Sequence, residues 1–391
     1  MSRSENLLDY SYDETVGRQL NVLIVIKGFN QLAIIKKIIE RKKSRNYSLT
    51  AANNISQRIY YRGTIVETCL DRNNFSSTIL NEKKIKINCL EPYSISIKHN
   101  KFAYIGANQV FIIDLVAGQT YTLTNEWMAF LHTVEFSRDD KNVLLASSGF
   151  DIILEINIHS AKVLWEWNSW DQGFNYSKLT NTYVTRNRSQ LREIEQNNKG
   201  SKIIFVKTPK DYPIGGIPTE QCPARINGAS YDENEIVLAT SYHRPELFII
   251  QKNNDSFQTV DLGLSHPHGF IRVKLPYHDG YMVTNTGAGE FLLVDKTFNV
   301  VNKLVFSSLS ASATKEQGFG EWIQNVTLLD PQKGIFAAVD SLRGGIHIID
   351  FLNKRRRFIN NPPEWTIQTL ISISKEMIDK MRQIDCLYYT T

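Results

Sequence analysis

Three histidines are the first residues in this chain whose types and spacing could do chemistry. His132, His266 and His268 each stand at the start of an apolar run. A neutral imidazole is both a base and a nucleophile near pH 7. Arg225 opens a comparable run, followed two residues later by Asn227, and Trp322 and Gln324 open another. The guanidinium stays protonated, so Arg225 can hold an anion but cannot act as a base. Tyr242, His243 and Arg244 lie in the loop after the second strand-like run that follows Arg225. Brought together, these imidazoles, cations, amides and rings would suit a small anionic or aromatic ligand. The expected catalytic set is His132, His266 and His268. The expected ligand-binding set is Arg225, Asn227, Tyr242, His243, Arg244, Trp322 and Gln324. His99, His159, His278 and His347 read as structural or surface residues.

Residues so far apart in sequence need a repeated fold to bring them together. Five apolar runs close on a polar residue: Asp114, Asn157, Gln251, Asp295 and Asp350. Their separations are 43, 94, 44 and 55 residues. The 94-residue gap is about twice its neighbours and holds another strand-like run, KIIFVK at 202–207. Counting that run gives six units of propeller-blade length. Within units, Asp139, Asp232 and Asp330 fall seven residues after His132, Arg225 and Ile323, and Ala146, Ala239 and Ala337 fall fourteen after. Aspartate suits tight turns because it bonds its own backbone. The runs VLLAS, IVLAT and IFAAV suit strands buried on both faces. The expected fold is all-β, a six-bladed β-propeller at 56–360. Residues 1–55 would form an N-terminal extension, and 361–391 a C-terminal helix and tail.

The N-terminal extension reads as a strand from Asn21, then a basic amphipathic helix. Leu32, Ile35, Ile38 and Ile39 share one face, with Lys36, Lys37 and Glu40 beside it. That helix offers a docking element, or a membrane-surface contact. Residues 366–383 read as a second helix after the NNPP break. Strands are expected at 60–67 and 78–88, one of them closing the ring by pairing the two ends of the chain.

The net charge of +5 in 391 residues is too mild for a nucleic-acid binder. The basic runs at 41–45 and 354–357 read as solvated faces. Cys69, Cys89, Cys222 and Cys386 have no metal-knuckle spacing and are too few for a disulfide framework. The N-terminus is too polar for a secretory signal, and no apolar run is long enough to span a bilayer. The expected location is cytoplasmic.

The region 130–295 resembles the arylsulfotransferase-like propellers. DIILEINIHSAKVLWEWN at 151–168 is similar to that family's blade-ending phrase, with Trp165 and Trp167 carrying the likeness. The resemblance implies a sulfate group carried on a histidine near the propeller axis, with cationic neighbours steadying its oxygens. His132 matches a family blade-start histidine. Arg225 stands where another histidine would be, with Asn227 kept. Tyr242 occupies an arginine position, His243 is kept, and Arg244 follows. The sulfate-carrying histidine would correspond to His266 or His268.

Two other functions fit the same residues. One is a non-catalytic propeller that binds a protein or peptide, using its terminal helices. The other is a metal-dependent hydrolase, for which Asn227, Asn285 and Asp151 would be ligands; no acidic cluster repeats at the blade starts. No cofactor is expected. The glycine-rich stretch at 285–290 lies between strands, so it reads as a hairpin turn rather than a phosphate loop.

Overall fold

The computed structural model describes residues 3–30, 61–76, 79–80, 85–212, 216–232, 235–306 and 321–384. The chain is mostly β. Among the described residues, six sheets have four or five strands and a seventh has three.

Five of the larger sheets are built from four consecutive antiparallel strands. Sheet I holds Ile95–Lys98, Lys101–Gly106, Gln109–Asp114 and Gln119–Leu123. Sheet II holds Leu131–Phe136, Asn142–Ser147, Ile152–Asn157 and Val163–Asn168. Sheet III holds Ile226–Tyr231, Ile236–Ser241, Glu246–Gln251 and Phe257–Asp261. Sheet IV holds His268–Leu275, His278–Asn285, Glu290–Asp295 and Val300–Val305. Sheet V holds Ile323–Asp330, Ile335–Asp340, Gly345–Asp350 and Arg355–Asn360.

Sheet VI joins the two ends of the chain, in the order Thr366–Ser372, Asn21–Gly28, Arg62–Cys69 and Lys86–Leu90. Pairing of the N- and C-terminal parts is therefore present, made by Asn21–Gly28 rather than by either strand expected at 60–67 and 78–88. Residues 366–383 are not one helix. Thr366–Ser372 is a strand, and the helix is Lys375–Arg382, with the Ser374 side chain accepting from the Met377 N–H. The alternating, β-branched run TIQTLIS suits the buried edge of a sheet better than a helix. The expected basic helix, with Leu32, Ile35 and Lys36, lies outside the described residues, as do the basic run at 41–45 and Cys386.

Apolar clusters link neighbouring sheets in a closed cycle. One joins VI to I, and the next joins I to II. Others join II to III, III to IV, IV to V, and V back to VI. Meander sheets packed face to face around an axis form a β-propeller. Second and third strands such as Asn142–Ser147 are buried on both faces, which is why they read as continuous apolar runs.

The run at 202–207 does not form a blade-like repeat. Its strand, Lys202–Phe205, pairs in parallel with Thr182–Thr185, which pairs with Tyr176–Ser177 in the three-stranded sheet. The first strands of sheets II and III touch directly. The long gap is therefore an insertion between neighbours. Tyr212, Ile217 and Cys222 from it pack on the cluster of sheets I and II.

The first residues are part of the same assembly. Arg3–Asn6 adds a parallel strand to sheet IV, and Ser11–Tyr12 adds one to sheet V. Leu7 and Tyr10 are buried in the cluster between those sheets. In the basic run at 354–357, Arg357 is fully buried and is not a solvated residue. It donates to the carbonyls of Glu14, Leu70 and Arg72. Three carbonyl acceptors offset much of the cost of burying the cation. Arg355 pairs with Asp13 and Asp350, tying the N-terminal segment to sheet V.

Candidate functional site

The first strands of the sheets begin at one end of the molecule, and an irregularity near that start aims side chains at the axis. The ladder skips one residue in four of them: His132 in sheet II, Asn227 in III, Gln324 in V and Gln368 in VI. In sheet IV the shift falls at Gly269, directly after His268. Such bulges re-aim side chains. Tyr93 precedes the first strand of sheet I by two residues. A second set of residues lies two places upstream: Phe130, Arg225 and His266, with φ of 52°, 54° and 50°.

His132 and His268 belong to sheets with sheet III between them, yet their ring centroids are 6.5 Å apart. Residues on non-adjacent sheets approach this closely only near the axis. Both rings are buried and both are held in the same way. The Nδ1 of His132 lies 3.1 Å from the Phe130 carbonyl and 2.8 Å from Ser148 Oγ. The Nδ1 of His268 lies 3.1 Å from the His266 carbonyl and 2.9 Å from Thr286 Oγ1. A carbonyl can only accept, so each Nδ1 carries the proton and each Nε2 keeps its lone pair. Burial, with Arg225 nearby, holds His268 neutral by lowering its pKa to about 3. Burial, then Arg225 and His268, push His132 well below its ordinary value. Both rings are neutral acceptors at pH 7.

Arg225 sits against two rings, with Cζ 4.7 Å from the Tyr242 centroid and 5.2 Å from that of Phe130. Among the described residues it pairs with no carboxylate. Its left-handed backbone costs a non-glycine residue about 1–2 kcal/mol. The Asp151 carboxylate compensates by accepting the N–H groups of Ala224 and Ile226, both at 3.1 Å. Hydrogen bonds to charged acceptors contribute about 1.5–3 kcal/mol each, a size comparable to that strain. Burial nevertheless raises Asp151 to about 6.

Aromatic rings complete the cluster. The Tyr242 ring packs at an angle to its neighbours, with its centroid 4.5 Å from that of His266 and 6.2 Å from those of both His268 and Trp322. Trp322 donates to Gln324 Oε1 at 2.8 Å. On the far side, Lys27 donates to the Tyr93 hydroxyl and lies 4.2 Å over that ring. Tyr93 packs 4.7 Å from His132.

His132, Arg225, Tyr242, His266, His268 and Trp322 therefore meet, with Gln324 beside them. Asn227 is at the site but braces sheets III and IV, donating to the Pro267 carbonyl at 2.8 Å and accepting from Thr240 at 3.0 Å. His243 contacts Tyr242, but its Nε2 donates to the Thr219 carbonyl at 3.0 Å, and burial lowers it to about 4. Arg244 lies apart, 4.7 Å over the Phe174 ring, so it does not join the cluster. Of the residues imagined as metal ligands, Asp151 caps a backbone turn, and Asn285 bonds Ser265 and Glu290. No group of three metal-ligating side chains occurs among the described residues.

Sequence reasoning missed Lys27, Tyr93, Phe130, Ser148 and Thr286. Tyr93 was findable by carrying the repeat alignment back to sheet I, and Phe130 by stepping two residues upstream of His132. Lys27 was not, because its sheet is built from both ends of the chain.

No protein-family model matches the chain, and no curated protein matches it. Several solved structures resemble it at low identity. Virginiamycin B lyase from Staphylococcus aureus is 10% identical, over 69% of this chain and 70% of its own, with a TM-score of 0.43. A streptogramin B lyase is 10% identical, over 69% of each chain, with a TM-score of 0.44. A protein of unknown function from Bacteroides caccae is 13% identical, over 91% of this chain and all of its own, with a TM-score of 0.48.

Proposed function

We propose that the six larger sheets are the blades of a six-bladed propeller and the three-stranded sheet an insertion. The channel mouth binds a small organic anion with an aromatic part. The observation that carries this reading is the pairing of two buried imidazoles, each offering an Nε2 lone pair, with Arg225, which meets rings but no carboxylate among the described residues. Arginine holds sulfate or carboxylate oxygens, the neutral imidazoles accept a hydroxyl proton, and Tyr242, Trp322 and Phe130 supply ring faces.

The resemblance to arylsulfotransferase-like propellers supplies a reaction for the same groups. His268 Nε2 would attack the sulfur of an aryl sulfate, and the S–O bond to the ring would break, its electron pair leaving with the aryloxide. An acceptor hydroxyl would then take the sulfuryl group from His268, losing its proton to His132. Arg225 would steady the sulfuryl oxygens in both steps.

The test is turnover of 4-nitrophenyl sulfate with phenol as acceptor, beside equilibrium binding of the same sulfate. The expected result is binding weakened about 10- to 100-fold in Arg225→Ala, and turnover lost in His268→Ala with binding retained. Binding without turnover in the native protein would leave a ligand-binding propeller and remove the transfer step. No binding would remove both.

A further inference from the structure

We infer that Asp151 is a positioning residue that sets Arg225 from the neighbouring sheet; this rests on reading the mouth as an anion site. Asp151 stands immediately before the third strand of sheet II and is fully buried. Its Oδ2 accepts from the Ala224 N–H and from Trp170 Nε1, both at 3.1 Å, and its Oδ1 accepts from the Ile226 N–H. The Arg225 N–H also faces it. The left-handed turn at Arg225 is what converges successive N–H groups on one anion, and such backbone nests bind carboxylates. Asp151 is thus fully buried, its oxygens engaged by the turn and by Trp170, and it acts through the arginine.

The other sheets show that this is a local provision. The residue at the same place in sheet I is Asn108, whose Oδ1 accepts the Phe130 N–H at 3.0 Å. Phe130 also has a left-handed backbone and is the ring beside Arg225. In sheet VI the place belongs to Tyr61, which offers its backbone carbonyl to the Glu91 N–H. Sheets III, IV and V have Pro245, Gly289 and Gly344 there, with no side-chain acceptor. Side-chain caps from the preceding sheet therefore occur at the two turns that present the cation and its aromatic platform, whereas the turn at His266 takes its side-chain acceptor, Asn285 on the Ser265 N–H at 2.7 Å, from its own sheet. Trp170, from the insertion between sheets II and III, steadies the carboxylate itself. This gives the insertion a link to the mouth.

The experiment uses the full chain and two readouts. The first is the rate of phenylglyoxal modification at Arg225, followed by peptide mass mapping with Arg244 as internal control. Asp151→Asn leaves one converging N–H facing an amide donor, so Arg225 should react about fivefold faster while Arg244 does not change. The second is binding of 4-nitrophenyl sulfate, where Asp151→Asn should weaken affinity about tenfold in the native background and not at all in Arg225→Ala. Trp170→Phe keeps the backbone bonds and should give a smaller change of the same kind; it decides the matter if Asp151→Asn does not fold. Unchanged Arg225 reactivity in a folded variant, or equal losses of affinity in both backgrounds, would overturn the inference. If the native protein binds no sulfate, the anion-site reading fails, and the reactivity measurement still decides whether Asp151 sets Arg225.

Discussion

Sheets III and V place an arginine near the same end of the molecule, with opposite outcomes. Arg343, in the turn between the second and third strands of sheet V, is held by Asp340 at 2.8 Å and Glu321 at 2.9 Å. Asp340 is fully buried and also meets His347 at 3.1 Å. Arg225, before the first strand of sheet III, lies against the Tyr242 and Phe130 rings and meets no carboxylate among the described residues. One arginine is committed to structure, while the other has no counter-ion beside it among the described residues. The same contrast holds for histidine. His347 directs its Nε2 to Asp340, whereas His132 and His268 direct their Nδ1 to their own strands. A repeated backbone offers equivalent places, and local pairing decides which of them can serve a ligand.

That contrast can be broken in four ways. The largest effect should come with acid. His268 is neutral in the fold with a pKa of about 3, but takes up a proton near 6.5 once unfolded. Its contribution to stability is complete above about 6.5 and is lost as pH falls towards 3, by about 1.4 kcal/mol for each pH step of one in that window. Urea midpoints from pH 7 to pH 4 should fall steeply in the native protein and less in His268→Gln. An equal fall in both would separate the histidine from acid lability.

Next in size is Arg343→Ala. Removing one partner of a buried pair leaves Asp340 uncompensated, at a cost of about 3 kcal/mol. Denaturant unfolding should show that loss, with sulfate affinity unchanged in protein that remains folded. Arg225→Ala should do the reverse. Anion affinity should drop about 10- to 100-fold, the worth of one charged hydrogen bond, with stability nearly unchanged. Titration calorimetry with 4-nitrophenyl sulfate reads it directly. If Arg225→Ala destabilises and Arg343→Ala abolishes binding, the two arginines have been assigned the wrong way round. The smallest effect belongs to Arg244→Ala, whose side chain covers Phe174. Affinity should stay within about twofold, with any change confined to stability.

Much of this was legible in the sequence. The spacing of Asp139, Asp232 and Asp330 marked equivalent turns, and the runs around Ala146, Ala239 and Ala337 marked equivalent buried strands. Hydrophobic periodicity and turn chemistry are local, so one chain read alone exposes them. The same spacing put Arg225 level with His132, but the ladders match His132 with Asn227 and Gln324, so Arg225 stands two places upstream with Phe130 and His266; the cluster contains His132, Arg225 and Trp322 all the same. It failed where locality fails. KIIFVK has the composition of a blade strand but pairs in parallel inside an insertion, and TIQTLIS reads as a helix until Asn21–Gly28 lies beside it.

Residue types and repeat spacing thus determined that this protein is built from β-units and that imidazoles and a guanidinium stand at their starts. Only the tertiary structure decided which of these groups are left for a ligand. Arg225 differs from Arg343, and Asn227 from His132, through partners on other segments: Asp340 and Glu321 in one case, Pro267 and Thr240 in the other. A pairing across the axis depends on distances of a few ångströms between segments remote in sequence, and no local pattern encodes such distances.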